Sequence, residues 1–433
     1  MKTNRLTTQI LAAMVLGIVV GYICNVTAPD AKTAKDIAGY FSIVTDVFLR
    51  LIKMIIAPLV FATLVGGVAS MGDTKAVGRI GVKALGWFIL ASLISLFLGL
   101  VFVTLLRPGE ALNLPLPDVG ASTNLKTSAL NLKDFITHVF PRSFFEAMAQ
   151  NEILQILVFS IFFGFAIASF KDDTAKSLIK SIEELVHVML RVTDYVMRFA
   201  PFGVFAAIAS AITVQGIGVL ATYGKFMGSF YFALFVLWLV LIAAGWLFLR
   251  GSVFTLLKLI REPIMLAFST ASSEAAYPKV MEQLEKFGVK DKIIGFVLPL
   301  GYSFNLDGSM MYTTFAALFI AQAYGIPMTL TQQITMLLVL MVTSKGIAGV
   351  PRASLVVIAA TLPMFNLPEA GLLMIMGIDH FLDMARSATN VIGNSIATAV
   401  VAQWEGELEA PRGVEQEEML PPEAVPGHAQ PGS

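Results

Sequence analysis

Cysteine is almost missing from this chain: Cys24 stands alone in 433 residues, which excludes an intrachain disulfide framework and any cysteine-rich metal site. Histidine is scarce as well, and His138, His187, His380 and His428 show no metal-ligand spacing. There is no HExxH, no GxSxG elbow and no phosphate loop, and Ser177-Leu-Ile-Lys180 matches a hydrolase pattern only by accident. Charge is the third shortage. Only 14% of residues are charged, against roughly a quarter in soluble domains. The 30 basic and 30 acidic residues cancel, so no basic surplus points to a nucleic-acid partner.

What is abundant is apolar. The hydrophobic share is 56% and the mean hydropathy +0.77. Ala84 to Leu106, Ile153 to Phe170 and Phe226 to Leu249 carry no charge at all, each near or above the ~18–20 residues a helix needs to cross a hydrocarbon core. The sequence therefore predicts a polytopic, all-α membrane protein. Its start, Lys2 and Arg5 followed by an apolar run from Ile10 to Ile23, superficially resembles a signal peptide. No small-residue cleavage site follows, so the run reads as the first transmembrane helix.

Basic residues set the sidedness. Lys2 and Arg5 place the N-terminus in the cytoplasm, as do Lys75, Arg79 and Lys83 for the next loop but one. The segment from Arg107 to Asn151 then lies outside, while Lys171, Lys176 and Lys180 return to the cytoplasm. Arg250, Lys258 and Arg261 are cytoplasmic, and so are Lys279, Lys286, Lys290 and Lys292. Arg261 and Lys279 thus bracket an excursion that starts and ends on one side, with Phe268 to Ser273 at its Ser/Thr-rich tip. A re-entrant hairpin fits this better than an ordinary loop, provided protein or a water-filled cavity covers its backbone.

The pattern recurs. From Gln332 to Leu362 the chain is apolar except where Lys345 to Ser354 inserts two glycines, a proline and hydroxyls. Ser272 precedes Asp307 by 35 residues and Val350 precedes Asp383 by 33. Paired interruptions at matching places in two halves point to a transporter's binding site and to inverted repeats. After Trp404, glutamates from Glu405 to Glu423 alternate with Pro and Gly, and residues 405–433 are expected to form a disordered cytoplasmic tail.

Two polar constellations interrupt the lipid-facing composition. Asn305-Leu-Asp-Gly-Ser309 lies within the apolar run from Ile293 to Ile320, where Gly301, Ser303 and Gly308 make a helix breakable. Broken helices free carbonyls for cations, and Asp307 adds either a hard oxygen ligand or a protonatable group. The second constellation is a stripe, Asp379, Asp383, Arg386, Asn390 and Asn394, spaced 4, 3, 4 and 4 residues apart. At 100° per residue the five stay within roughly 80° of one another on a helix. Charges buried in lipid mark substrate or ion pathways by default. The alternative, a self-neutralising Asp–Arg pair that glues helices, would not require five aligned groups. Arg386 presents a planar fork to a carboxylate, and Asp383 can accept from an ammonium. An acidic amino acid fits that set, its α-carboxylate falling to the hydroxyls and N–H groups of Ser272 and Ser273, with Asn390 serving either end.

Ser269-Thr-Ala-Ser-Ser-Glu274, Asn305-Leu-Asp-Gly-Ser309, Gly346-Ile-Ala-Gly-Val-Pro351 and Asp383-Met-Ala-Arg-Ser-Ala-Thr-Asn390 resemble the signature set of the dicarboxylate/amino acid:cation symporters, which include the glutamate transporters. Ile52-Lys-Met-Ile-Ile-Ala-Pro58 and Ala200-Pro-Phe-Gly-Val204 resemble further family segments, and the match runs in order from about residue 7 to residue 404. The resemblance implies eight transmembrane helices plus two re-entrant hairpins with inverted repeats, a homotrimer in the bacterial inner membrane with cytoplasmic termini, and no cofactor. It also implies an elevator mechanism, with a scaffold (about residues 7–75 and 127–222) and a transport domain (about 79–107 and 223–404). Substrate ligands would be Ser272, Ser273, Ser309, Val350, Asp383, Arg386, Ser387 and Asn390. The cation or proton path would use Gly301, Ser303, Asn305, Asp307, Asp379, Asn394 and Glu274, and the gate Gly349, Pro351 and Arg352.

Departures from the family pattern bear on substrate and ion. Dicarboxylate carriers tend to lack the acid at Asp383, so its presence favours glutamate or aspartate over succinate or malate. Sodium-driven members usually have Asp at Asn394, Thr at Ala91 and Met at Leu306. The chain therefore resembles the proton-coupled bacterial glutamate/aspartate branch, with H⁺ as the coupling ion and Na⁺ as the alternative. Thr313 stands where potassium-countertransporting relatives carry Glu, which argues against K⁺ export.

Overall fold

The computed structural model describes residues 2–71, 74–111, 117, 137, 139–170, 173–218, 223–344, 353–376 and 378–409. Among them the chain is helical, and its one β-bridge joins Val289 to Leu408. The helices are α1 (Lys2–Thr27), α2 (Ala31–Met71), α3 (Thr74–Leu106), α4 (Phe144–Gln150), α5 (Ile153–Ser169), α6 (Asp173–Met197), α7 (Ala200–Gln215) and α8 (Gly224–Leu249). Then follow α9 (Ser252–Thr270), α10 (Ser273–Phe287), α11 (Asp291–Phe304), α12 (Asp307–Ala323), α13 (Leu330–Thr343), α14 (Ala353–Thr361), α15 (Leu372–Met376) and α16 (Asp379–Glu405).

Among the described residues four stretches are long and apolar enough to cross a membrane: Thr8–Thr27, Ala31–Ala69, Lys75–Glu110 and Gly224–Leu249. A fifth arises if Ser177–Met197 and Ala200–Gln215, bent by 51° at their junction, form one span. Ile153–Ser169, Leu330–Thr343 and Ser354–Phe365 are shorter apolar helices. The chain is thus a membrane protein. Its outer helices look the part: α1 exposes Leu11, Val15, Leu16 and Val19, and α8 exposes Phe232, Phe235 and Leu239. Lipid is the solvent that such faces need.

Packing falls into two groups. In the first, α2 runs alongside α5, α6 and α7, while α1 lies along α7. In the second, α16 is the central member and touches α8, α9, α10, α11 and α12, with α3 packed against α12 and α8. The seam between the groups is chiefly α11 against α2 and α5, with α9 against α7 and α10 against α2. Nearly every residue of α12, and of α16 from Phe381 to Ala402, is buried. A helix buried all round sits in the middle of its bundle, so the stripe of α16 faces protein and not lipid.

The first excursion is a helical hairpin. α9 ends where Ala271 takes a left-handed conformation (φ 50°), and its N–H returns to Ala267 and Phe268. Ser272 then caps α10, its Oγ accepting from Ala275 N at 3.2 Å. Serine is a preferred cap because it satisfies a donor the helix cannot. α13 and α14 flank the second interrupted segment; Gly349, Val350, Pro351 and Arg352 themselves lie outside the described residues, as does most of 107–151.

The expected tail needs a correction at its start. Glu405 ends α16 as an almost fully buried carboxylate held by Arg79 (2.6 Å) and Lys83 (2.6 Å) of α3. Glu407 pairs with Lys290 at 2.9 Å and with Lys292, and the backbone is stitched by Lys290 N to Glu407 O (3.2 Å) and Glu409 N to Gly288 O (2.9 Å). Residues 405–409 are therefore part of the fold, because basic side chains of α3, of the turn before α11 and of the first turn of α11 meet their carboxylates. Residues 410–433 lie outside the described residues.

Candidate functional site

The stripe helix is not continuous with the apolar run before it. α15 stops at Met376 and α16 begins at Asp379, so Asp379 occupies a first helical turn, where unsatisfied N–H groups and the macrodipole favour an anion. One and two turns on lie Asp383 and Arg386. The guanidinium is 2% exposed, with Nη2 2.8 Å from Asp383 Oδ1 and 3.5 Å from Asp379 Oδ1. Its Cζ lies 4.1 Å from the Tyr312 ring centroid, and the same tyrosine donates its hydroxyl to Asp379 Oδ1 at 2.9 Å. A cation over an aromatic face and between two carboxylates is well fixed. Yet Arg386 Nε and Nη1 are buried with no hydrogen-bond partner among the described residues. Native folds rarely leave buried donors over in this way. Asp383, by contrast, remains partly exposed, and the Ser387 hydroxyl reaches it as well.

One and two turns further along, at Asn390 and Asn394, the polar face changes character. Asn390 Oδ1 accepts from Gly308 N at 2.9 Å, and its Nδ2 lies 3.4 Å from Ser309 Oγ. Asn394 Oδ1 accepts from Asn305 Nδ2 at 3.2 Å, and that same Nδ2 is 3.2 Å from Asp307 Oδ2. These contacts exist because the segment between α11 and α12 breaks where the sequence predicts: α11 ends at Phe304 and α12 begins at Asp307. Asn305 and Asp307 are fully buried, Asn394 is 1% exposed, and Ser303 is buried in the last turn before the break. The break can lie this close to α16 only because Gly308 has no side chain. A Cβ there would sit 2.6 Å from Arg386 O and 2.8 Å from Arg386 Cα. At Gly301 a Cβ would run into Asn394 Oδ1, so a side chain there would displace that amide rather than the backbone.

The hairpin tip supplies the third part. Ser272 and Ser273 are half-buried, and Ser273 O accepts from the Tyr302 hydroxyl at 3.1 Å, which ties the tip to α11. Glu274 lies in the first turn of α10, half-buried, with Lys53 of α2 acting on it across the seam. Asp379 is placed with Arg386 and Tyr312 and not with the Asn305–Asp307–Asn394 cluster, which separates it from the residues with which the sequence groups it. Among the described residues no three His, Cys, Asp or Glu side chains come close enough to hold a metal ion. The oxygens at the helix break are those of one carboxylate and of amides.

Sequence reasoning missed Tyr312, which had no spacing signal, being one of several aromatics in an apolar run. It also missed Trp238, whose Nε1 donates to Thr389 Oγ1 at 2.7 Å, and Tyr231, whose hydroxyl donates to Phe381 O at 2.7 Å. Both lie on α8 and hold α16 from behind.

The comparisons with known proteins agree with this arrangement. The model of the sodium:dicarboxylate symporter family matches residues 6–404. The chain is 40% identical to a "C4-dicarboxylate transport protein" of Laribacter hongkongensis, over 93% of this chain and 90% of that protein. It is also 40% identical to a "Proton/sodium-glutamate symport protein" of Geobacillus stearothermophilus, over 95% of this chain and 97% of that protein. A similarly named protein of Bacillus caldotenax matches at 40% over the same shares. The buried Asp–Arg cluster, the broken helix beside it and a match over almost the whole chain lead to one conclusion: the chain belongs to the sodium:dicarboxylate symporter family, a family of cation-coupled transporters and not of enzymes.

Proposed function

We propose that this protein imports acidic amino acids, glutamate or aspartate, together with protons across the bacterial inner membrane. The carrying observation is Arg386, fixed between Asp383 and Tyr312 with Nε and Nη1 unpartnered. Those donors suit the substrate's side-chain carboxylate, and Asp383 suits its ammonium. Ser272, Ser273, Ser309, Ser387 and Asn390, with Val350 outside the described residues, complete the substrate set.

Charge counting supports coupling to cations. Two carboxylates against one guanidinium leave the Asp379–Asp383–Arg386 group with an excess negative charge when ionised. An acidic amino acid adds another, and buried anions without counter-charge are heavily penalised. Protons are favoured over sodium because an amide stands at Asn394 and its Oδ1 is already engaged by Asn305. Asp307, Asp379 and Glu274 are the candidate proton carriers. In this reading α3 and α8–α16 move as an elevator against α1, α2 and α4–α7, in a homotrimer with both termini cytoplasmic. Gly349, Pro351 and Arg352 belong to the gate.

A second reading, C4-dicarboxylate symport, draws on the relatives so named and on the guanidinium, which suits a carboxylate whether or not an amine accompanies it. Uptake of labelled glutamate into proteoliposomes with independently imposed H⁺ and Na⁺ gradients tests the leading proposal. An acid-outside gradient alone should drive accumulation. Uptake that requires Na⁺ and ignores pH would overturn the ion assignment.

A further inference from the structure

One buried acid takes no part in the site described above. Glu262 lies in the middle of α9, 1% exposed, and neither carboxyl oxygen has a hydrogen-bond partner among the described residues. Native folds rarely leave a buried carboxyl so bare. Gln283, on the facing helix α10 and 2% exposed, likewise leaves its Nε2 without a partner. The charged groups acting on Glu262 are Lys279, Glu282 and Lys286 of α10 and Arg261 on its own helix. α9 also packs on α16, α8, α7 and α1, and among the described residues none of these brings a further charge to bear on it.

The two lysines are occupied elsewhere. Lys279 Nζ donates to Glu282 Oε2 and Lys286 Nζ to Glu282 Oε1, the latter at 2.8 Å. Lys279 Nζ also stands 4.0 Å from Asp194 Oδ1 of α6, across the seam between the two groups of helices. One hairpin lysine is thus shared between its own helix and a helix of the other group, while a bare carboxyl waits beside it. As an anion Glu262 would bear a desolvation penalty that no hydrogen bond offsets and that Lys279, Lys286 and Arg261 offset only in part; as the neutral acid it would not.

We propose that Glu262 is a proton-holding positioning residue of the first hairpin, and that Lys279 exchanges between Asp194 and Glu262 as the hairpin moves against α6. A lysine side chain has limited reach, so displacement of α10 from α6 breaks the contact with Asp194. The buried ammonium then turns to Glu262. The carboxyl O–H breaks, its proton passes to water on the cytoplasmic side, and the Lys279–Glu262 ion pair forms with Lys279 protonated throughout. One proton is released to the cytoplasm each time the contact breaks and one is taken up from the outer side before it re-forms, so each cycle carries one proton inward. This rests on the proton-coupled reading above and gives that reading a residue on the moving hairpin outside the substrate site.

The test uses the full chain in proteoliposomes, comparing wild type with Glu262→Gln, Glu262→Asp and Lys279→Met. Net glutamate uptake is followed against pH, proton flux with a pH-sensitive dye, and glutamate exchange at equal pH on both sides. A one-proton step gives a rate limb of up to about tenfold per pH unit. Glu262→Gln should flatten that limb to about twofold or less and lower the proton-to-substrate ratio, while reducing exchange less than net uptake. Lys279→Met should flatten it similarly, and Glu262→Asp should restore it. Glu262→Gln with the wild-type limb and ratio overturns the proposal; should that variant fail to fold, Lys279→Met with the wild-type limb does so. A wild type that ignores pH altogether defeats the proton-coupled reading and this inference with it. The two failures are told apart because only the second is read in the wild type.

Discussion

Asp379, Asp383 and Arg386 fill the first turns of α16, and Asn390 and Asn394 the turns that follow. The first set carries full charges, sits against an aromatic face and leaves guanidinium donors over. The second set is neutral, and the Oδ1 of each amide is committed to the broken segment between α11 and α12. One half of the face carries the charges to which the proposed function assigns the substrate's carboxylate and ammonium, and the other joins the helix break to α16. A polar residue buried in a membrane bundle is thus not one kind of thing. Spare atoms occur in both halves, the guanidinium Nε and Nη1 of Arg386 in one and the Asn394 Nδ2 and Asn305 Oδ1 amide atoms in the other, and what separates them is the charge of the group that carries them.

The largest effect should come from the charged half. Arg386→Gln leaves Asp379 and Asp383 without a counter-charge and removes the carboxylate fork, so uptake should fall by about 100-fold or more, as when a buried charge loses its partner. Next comes Asp383→Ser, which removes the acceptor proposed for the ammonium but keeps the guanidinium. Glutamate affinity should drop by about 10- to 100-fold, while competition by succinate persists or strengthens. Equal loss of both ligands would erase the distinction between amine and carboxylate readers.

The neutral half answers to Asn394→Asp. A second carboxylate beside Asp307 supplies the hard oxygen that Na⁺ requires, and Na⁺ should then stimulate uptake several-fold. No response to Na⁺ would mean that this junction is not where the ion is chosen. Tyr312→Phe is milder, because the ring still covers Arg386 and only the 2.9 Å bond to Asp379 is lost. A two- to tenfold rise in KM is expected, from the ~0.5–1.5 kcal/mol of one hydrogen bond.

The smallest effect lies far from the stripe. Hydrogen bonds from Arg79, opposed by burial and reinforced by Lys83, hold the Glu405 carboxyl below its ordinary range. A depressed value in the folded state stabilises the fold above the unfolded value, roughly pH 4.3, and that contribution disappears as pH falls through the folded value. Glu405→Gln should therefore cost about 1 kcal/mol at neutral pH, given that Arg79 is solvent-exposed. The gap in Tm between variant and wild type should close on acidification.

What the sequence made legible was local. The stripe spacing, the Asn305–Ser309 break and the Ser-rich hairpin tip are patterns within a dozen or so residues, and each reappears in the structure where its period or its glycines put it. What it hid was distant. Tyr312 and Asp379 are 67 residues apart, and Arg79 and Glu405 are 326 apart; no periodicity links such pairs. The same limit explains Asp379, whose helical spacing groups it with the whole stripe although tertiary packing gives it to Tyr312 and Arg386. It explains Glu262 too, since a glutamate beside Arg261 in the middle of an amphipathic helix reads as solvated until its neighbours are seen to cover it.

Competition in proteoliposomes tests the central claim, that Asp383 and Arg386 together read an amine and a carboxylate. Labelled glutamate is presented with excess unlabelled aspartate in one arm and excess succinate in the other. The account predicts near-complete block by aspartate and little by succinate. Block by succinate as complete as that by aspartate, with labelled succinate itself accumulated, would contradict it.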